Sequence, residues 1–116
     1  MKLAEAYVFG EKIMDVKYKN VVMLAIHKCI ASEGCILEPM SAEIVFRGTP
    51  PASPLRRLIA VMIAYYASED KHKRIWMDLI DVCPKEDLKH AMKVLVRIRK
   101  PTAFPSWGVA PYLEEE

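Results

Sequence analysis

Residues 49–67, TPPASPLRRLIAVMIAYYA, decide the fold because they carry almost every determinant of a helix start. Ser53 can accept a hydrogen bond from a free backbone N–H of the first turn, and Pro54 suits the first helical position, where its missing donor costs nothing. The apolar residues that follow recur at helical spacing: Leu55, Leu58, Ile59, Met62, Ile63 and Tyr66. The pattern predicts a helix that begins at residue 54, is buried on most sides and forms the centre of the fold.

Two cations, Arg56 and Arg57, fall in the first turn of this helix. The positive end of the helix dipole opposes cations there, so their placement requires an acidic or carbonyl partner nearby. We therefore treat both arginines as candidate partner-binding residues.

The composition is that of a single domain. A chain of 116 residues can bury one core, and its apolar share of 53% is high even though glycine is not counted. Such a surplus indicates either a well-filled core or a surface that another molecule covers. The formal charge is +2, and because the last three residues are glutamates, residues 1–113 carry +5. This is a mildly basic body and not a nucleic-acid-binding stripe.

The cysteines and the N-terminus indicate a compartment. Cys29, Cys35 and Cys83 are odd in number and lie in apolar stretches, which predicts buried free thiols in a reducing environment and no disulfide framework. The N-terminal residues lack the continuous apolar core of a signal peptide, and no apolar run approaches the roughly 18 to 20 residues of a membrane span. We expect a soluble, intracellular protein, cytoplasmic or nuclear, without a membrane partner.

Apolar spacing and capping residues predict an all-α fold of about five helices, with one short extended segment and a Pro-rich C-terminal tail. The predicted helices span residues 2–14, 16–32, 54–67, 71–82 and 84–99. Asp15 is the expected cap of the second helix, and Gly34 suits the left-handed position that ends it. Gly10 indicates the close approach of another helix. Residues 1–100 form one helical domain in this scheme, and residues 101–116 form a non-helical tail.

Each helix that flanks the central one carries an apolar stripe. The stripes comprise Leu3, Tyr7 and Met14; then Tyr18, Val21, Val22 and Ile26; then Ile75, Trp76, Leu79, Ile80 and Cys83; and last Leu88, Ala91, Met92, Leu95 and Val96. Because such stripes turn toward the core of a bundle, we expect these side chains to be buried.

The segment before the central helix has a different character. Residues 35–52 hold three prolines and the β-prone run 43–46, EIVF, which predicts a loop with one extended segment. An isolated strand leaves its backbone unpaired unless it joins a sheet edge, so the pairing strand is missing from this sequence or lies on another chain. Ile44 and Phe46 are therefore candidate partner-binding residues.

No catalytic or cofactor motif is present. The sequence has no phosphate loop, no dinucleotide fingerprint, no Gly-x-Ser-x-Gly elbow and no His-Glu-x-x-His pair. His27, Cys29 and Cys35 are the nearest metal candidates, but the i, i+2 spacing turns the first two toward different sides of one helix, and a fourth ligand is missing. We predict no metal and no cofactor.

A nucleophilic cysteine is the one catalytic arrangement that the residue types allow. Cys83 would need His72 or His90 as its base. Nothing near Cys83 in sequence would depress the pKa of its thiol, so a buried, inert thiol is the expected state. We predict that the protein is not an enzyme.

The leading functional hypothesis is a protein-interaction module that presents an apolar helical face to a partner, including a second copy of itself. Trp107 lies in the Pro-rich tail together with Phe104 and Tyr112, where it has no core of its own. An exposed tryptophan of this kind is typical of an interface anchor. Trp107 is therefore a candidate partner-binding residue.

The alternative hypothesis is a small helical nucleic-acid-binding domain with a basic surface. Its cations would be Arg56, Arg57, Lys71, Lys73 and Arg74. A cationic run without interleaved aromatic residues usually forms a solvated face, so nucleic acid is the less favoured partner. Phosphate binding would weaken steeply with added salt, whereas apolar association would not.

Two stretches carry a resemblance to a known family. They are LAEAYVFGEKIMDVKYKNVVMLAI, residues 3–26, and EIVFRGTPPASPLRRLIAVMIAYYA, residues 43–67. The recurring positions are Leu3, Tyr7, Lys12 and Asp15 in the first stretch, and Thr49, Pro50, Ser53, Pro54, Leu55, Arg56, Arg57 and Leu58 in the second. In these positions the chain resembles the C-terminal half of the BTB/POZ domain proteins found in fungi.

The resemblance implies a fold and a function. Residues 1–33 would correspond to the last helices of the BTB core, and residues 43–58 to the family's extended segment and its Ser-Pro-Leu-Arg-Arg-Leu helix start. The N-terminal half of a BTB domain, with its sheet and dimer-forming helix, has no counterpart in this sequence, so the chain resembles a fragment. The resemblance implies a protein-interaction module that acts as an adaptor of a cullin-type ubiquitin ligase or associates with itself. It implies no cofactor.

Overall fold

The computed structural model describes residues 2–35, 37–66 and 73–99, and within these ranges the chain is all-α. Six helices account for 82% of the described residues, and these residues form no strand. The helices are α1 (Lys2–Lys12), α2 (Val16–Ser32), α3 (Pro39–Gly48), α4 (Pro54–Tyr66), α5 (Lys73–Val82) and α6 (Lys85–Ile98). The predicted fold class is confirmed, with one helix more than the sequence indicated. The predicted tail lies outside the described residues, as do Lys71, His72 and Trp107.

Local capping signals place the starts of α2 and α4 where the sequence predicts them. Asp15 precedes α2, and its Oδ1 accepts a hydrogen bond from the Tyr18 backbone N–H at 3.0 Å. Pro54 is the first residue of α4, and the Ser53 hydroxyl oxygen lies 3.5 Å from the Arg56 backbone nitrogen as a long cap. Gly34 follows α2 with a left-handed φ of 69°, as expected.

The predicted extended segment is wrong, because residues 43–46 lie inside helix α3. Pro39 opens this helix at a position where its missing N–H costs nothing. Ala42, Val45 and Phe46 follow at helical spacing, and all three are buried. Burial of this face against the other helices outweighs the β-propensity of the run, and the backbone bonds that a strand edge would leave open are made within α3.

Helix α4 contributes more buried residues than any other helix in the described ranges, in line with its predicted burial. It packs most extensively against α6, while α1 lies against both α2 and α3, and α3 also contacts α5 and α4. The buried residues of α4 are Leu55, Arg56, Ile59, Ala60, Met62, Ile63 and Ala64. The core that they share with the other helices includes Tyr7, Ile26, Val45 and Leu79.

Two glycines mark close helix approaches. A Cβ at Gly10 would lie 2.7 Å from Tyr18 Cδ1 and 2.8 Å from Lys19 Cγ, which confirms the predicted approach of α2 to α1. A Cβ at Gly48 would overlap the Val8 side chain of α1, a contact that the sequence does not reveal. The absence of a side chain at both positions lets the helices pack at short range.

Several predicted inner faces are rotated from the faces that the structure buries. Met92 and Val96 on α6 are 61% and 70% exposed, and Val21 on α2 and Met14 after α1 are also exposed. On α6 the buried residues are Ala91, as predicted, together with Asp87 and Val94. The apolar surplus of the composition therefore lies partly on the surface.

The prediction of three free thiols is wrong for two of them. Cys29 and Cys35 form a disulfide with Cα atoms 5.3 Å apart, whereas Cys83 is free and buried. The bond links the last turn of α2 to the residue after Gly34. Disulfides persist in oxidising environments, so the cysteines no longer support the predicted reducing compartment. None of the helices in the described ranges combines the length and the hydropathy that a bilayer crossing needs.

Candidate functional site

An apolar groove that could receive another molecule lies between α2 and α4. It has a volume of about 240 Å³. Its lining is almost wholly apolar or aromatic: His27, Ile30 and Ala31 from α2, and Leu58, Val61, Met62, Tyr65 and Tyr66 from α4. A groove of this character fits the side chains of a partner better than it fits a charged substrate.

The helical period of α4 builds the groove wall. Leu58, Val61, Met62 and Tyr65 stand at i, i+3, i+4 and i+7 and so lie on one face. Met62 is buried and forms part of the floor, whereas Tyr65 is 55% exposed at the rim. The Tyr66 ring stacks on Trp76 of α5 with a centroid separation of 6.3 Å, which holds this end of α4 in place.

A second cleft of about 240 Å³ lies between the first turns of α4 and α6. Its lining mixes charged and small side chains: Pro51, Ala52, Arg56, Arg57, Ala60, Glu86, Asp87 and His90. The Arg56 guanidinium and the Asp87 carboxylate are both buried in its wall and lie 3.8 Å apart. This cleft differs from the apolar groove because a buried ion pair forms part of its wall.

The predicted need of Arg56 for an acidic or carbonyl partner is met inside the protein. Besides Asp87, the Arg56 guanidinium donates to the Phe46 carbonyl oxygen and, at 3.2 Å, to the Thr49 hydroxyl oxygen. The guanidinium also lies 5.6 Å from the centre of the Phe46 ring. Arg56 is therefore a buried structural residue and not the surface contact that the sequence predicts.

Burial raises the pKa values of Asp87 and Cys83, two side chains near Arg56. Removal from solvent raises the pKa of the Asp87 carboxyl, and the Arg56 and His90 charges oppose the shift. Asp87 Oδ2 has no hydrogen-bond partner. Burial raises the pKa of the Cys83 thiol to about 11, with a further contribution from Asp87. A protonated, buried thiol is a poor nucleophile, which supports the expected inert role of Cys83.

The metal candidates give no usable donor set. The donor atoms of Cys29, Glu33 and Cys35 lie within 4.8 Å of one another, and His27 is not a member of this group. The two sulfur atoms are bonded to each other, so neither is available as a thiolate ligand. This cluster is a covalent link and carries no metal chemistry.

Among the predicted partner-binding residues, the structure brings Arg56 into contact with Phe46, but in the interior and not on a surface. Phe46 is buried in the core, and Ile44 is half-buried on α3. Arg57 is exposed at the rim of the charged cleft, and Trp107 lies outside the described residues. Of the cations proposed to form a basic nucleic-acid-binding surface, Arg56 is buried and Arg74 is exposed.

Sequence reasoning missed Val61, Tyr65 and Ile30 as site residues. They form a site only because α2 and α4 leave a gap between them, and that gap depends on the relative placement of two helices. The available signal was the apolar surplus, which predicts uncovered apolar surface but not its position.

Comparison of the chain with protein-family models, curated proteins and solved structures finds no match.

Proposed function

We propose that the protein is a helical protein-interaction module whose groove between α2 and α4 receives apolar side chains from a partner protein. The observation that carries the proposal is the open apolar groove itself, with buried Met62 at its floor and exposed Tyr65 at its rim. Burial of an apolar side chain in such a groove contributes about 25 cal/mol per Å² of surface removed from water. A second copy of this chain is one such partner.

The groove has the properties of a helix-binding surface. Amphipathic helices dock into apolar grooves through side chains at i, i+3, i+4 and i+7, and tyrosines are frequent in such interfaces. Tyr65 and Tyr66 offer large apolar rings with hydroxyl groups that tolerate water at the rim. The residues of the groove hold no acid, base and nucleophile in a catalytic arrangement, so binding is the role that they support.

The narrower proposal of a BTB/POZ-like adaptor for a cullin-type ubiquitin ligase rests on the resemblance over residues 3–67 alone. Its support is that α1, α2 and α4 coincide with the helical stretches of that resemblance. Residues 43–46 depart from it, since they are helical where the family has an extended segment. Binding of the purified protein to an immobilised cullin N-terminal domain would test this proposal separately.

Sedimentation over a range of concentrations tests the groove. We expect Val61→Glu, which places a carboxylate in the groove, to weaken association of the chain with itself or with a captured partner by tenfold or more. Val96→Glu is the matched control because Val96 is a 70% exposed valine on α6 and does not line the groove. It should associate as the wild type does.

Circular dichroism and thermal unfolding of both variants separate binding from folding. A folded Val61→Glu variant that associates like the wild type would contradict the groove as the interaction site. Equal loss of association in Val61→Glu and Val96→Glu would also contradict it, because the effect would then follow added charge and not position.

A further inference from the structure

We propose that the turn between α1 and α2 docks on an anionic lipid surface. This turn comprises residues 12–17, KIMDVK, and is called the hairpin tip below. It lies apart from the groove between α2 and α4, so the proposal goes beyond the interaction function. The expectation of no membrane partner came from the lack of a spanning segment, which does not bear on a tip that lies in the interface.

The hairpin tip exposes three large apolar side chains in a run of four residues. Ile13 is 49% exposed, Met14 84% and Val16 62%. Phe9 lies one turn behind Ile13 on α1 and is 54% exposed. Isolated exposed apolar residues are common on protein surfaces, but a cluster of this size at the point of a turn marks a contact surface.

The backbone holds Met14 outward at some conformational cost. The Asp15 N–H bonds the Gly10 carbonyl oxygen at 3.1 Å, and the Met14 N–H bonds the Glu11 carbonyl oxygen at 3.2 Å. This is the Schellman pattern that ends a helix, and its left-handed position normally belongs to glycine. Met14 occupies that position with a φ of 58°. A large apolar side chain therefore stands where the backbone favours none.

The frame behind the tip is fixed. Glu11 and Lys19 form an ion pair of 2.9 Å that ties α1 to α2, and the Phe9 ring meets the Tyr18 ring edge-on with centroids 6.0 Å apart. The close approach of Gly10 to Tyr18 shortens the distance between the helices further. The tip thus projects from two helices that are packed together, and its exposed side chains are presented without local unfolding.

The charges beside the tip select an anionic surface. Lys12 and Lys17 flank the apolar residues, are exposed, and form no ion pair with a described residue. The one acidic residue of the tip, Asp15, accepts a hydrogen bond from the first turn of α2 and keeps its charge, so with two lysines and one aspartate the tip carries a net charge of +1. Each lysine near an anionic membrane adds about fivefold to the binding constant, and apolar side chains inserted at the interface add to it.

The shape of the tip favours lipid over protein as the occupant. The tip is a protruding turn with side chains up to 84% exposed. A protein partner would have to offer a matching acidic concavity, whereas a fluid bilayer accepts a protruding apolar group without a preformed pocket. If two copies of the tip packed against each other, the positively charged lysines of the two chains would lie close together and repel each other.

Vesicle sedimentation tests the proposal with the full chain. The probes are phosphatidylcholine vesicles with and without about 30% phosphatidylserine, at low and high salt. We expect binding to the anionic vesicles only, weakened by salt because the attraction is screened. Met14→Gly should weaken it about tenfold by removing the inserted side chain. Lys12→Gln with Lys17→Gln should weaken it roughly 25-fold, at about fivefold per lysine.

Met14→Gly is expected to fold, because glycine suits the left-handed position. Met77→Ala is the control, since Met77 on α5 is a 57% exposed methionine that lies on a different helix. It should bind vesicles as the wild type does. Equal binding of Met14→Gly and wild type, or equal binding of the wild type to neutral and anionic vesicles, would overturn the proposal. The first result would leave an acidic protein as the occupant of the lysine-flanked tip.

Discussion

Arg56 joins three helices through one guanidinium group. It extends from α4 to the Phe46 carbonyl oxygen and Thr49 hydroxyl at the end of α3, and to the Asp87 carboxylate in the first turn of α6. The Thr49 hydroxyl in turn donates to the Val45 carbonyl oxygen at 2.7 Å. A buried charge with this many partners fixes the relative positions of the helices that supply them.

Removal of Arg56 should be costly at neutral pH. We expect Arg56→Ala to lower the free energy of unfolding by about 3 to 5 kcal/mol, because Asp87 would be left as a buried charge without its cation. Arg57→Ala is the matched control, since the neighbouring arginine is exposed, and it should stay within about 0.5 kcal/mol of the wild type. Urea denaturation of the three proteins measures both values.

The cost of Arg56→Ala should also depend on pH. Burial raises the pKa of Asp87 above 3.8, and Arg56 opposes that rise, so the variant should have a still higher pKa. A carboxyl whose pKa is raised by folding adds stability below its unfolded pKa and loses it as the pH rises through the folded pKa. The stability gap between variant and wild type should therefore narrow as the pH falls from 7 toward 4. A constant gap would contradict an unpaired Asp87 charge as the cause.

At the scale of helices, what the sequence reveals depends on the distance between cause and effect. Asp15, Gly34 and Pro54 act on backbone groups a few residues away, so the ends they set were predictable. The helical state of α3 was not predictable, because the run 43–46 has β-propensity and becomes helical through burial against other helices. The kind of partner that Arg56 needs was predictable from the helix dipole, whereas the choice of Asp87, far along the chain, was not.

The contact between α1 and α3 can be tested at Gly48. Alanine is favoured over glycine by about 1 kcal/mol in a helix interior and by less at the last helical residue, where Gly48 lies. Here a Cβ would overlap the Val8 side chain, so we expect Gly48→Ala to destabilise the protein by about 1 to 3 kcal/mol instead. Thermal unfolding measures the change.

Val8→Ala provides the test of cause in the same experiment. The substitution removes the two Val8 methyl groups nearest to the new methyl group and leaves the Cβ at 3.1 Å, so Gly48→Ala should cost less in the Val8→Ala background than in the wild type. Equal costs in the two backgrounds would show that the loss does not arise from this contact.

For the whole molecule, the apolar surplus has two destinations. Part of it fills the core, to which α4 contributes more buried residues than any other described helix. Another part lies on the surface, in the groove between α2 and α4, at the hairpin tip and at scattered positions such as Met77, Met92 and Val96. Composition indicated that uncovered apolar surface exists, but its location follows from how the helices pack, which no local pattern contains. The predicted inner face of α6 is right for Ala91 and wrong for Met92 and Val96 for the same reason.

The disulfide adds a covalent constraint that acts on the whole folding equilibrium. Cys29 and Cys35 are six positions apart, so the bond closes a short loop. In the chain-entropy account, closure of so short a loop in the unfolded chain contributes about 2 kcal/mol to stability. We expect a reducing agent to lower the free energy of unfolding by about that amount in the wild type.

The Cys29→Ser, Cys35→Ser double variant is the control for that measurement. It should unfold at the position of the reduced wild type and should not respond to reductant. Cys83 remains in both proteins and is buried, so it should resist alkylation in the native state whether or not the disulfide is present. A wild type that unfolds identically with and without reductant would contradict a stabilising bond, and it would restore the cysteines as support for a reducing compartment.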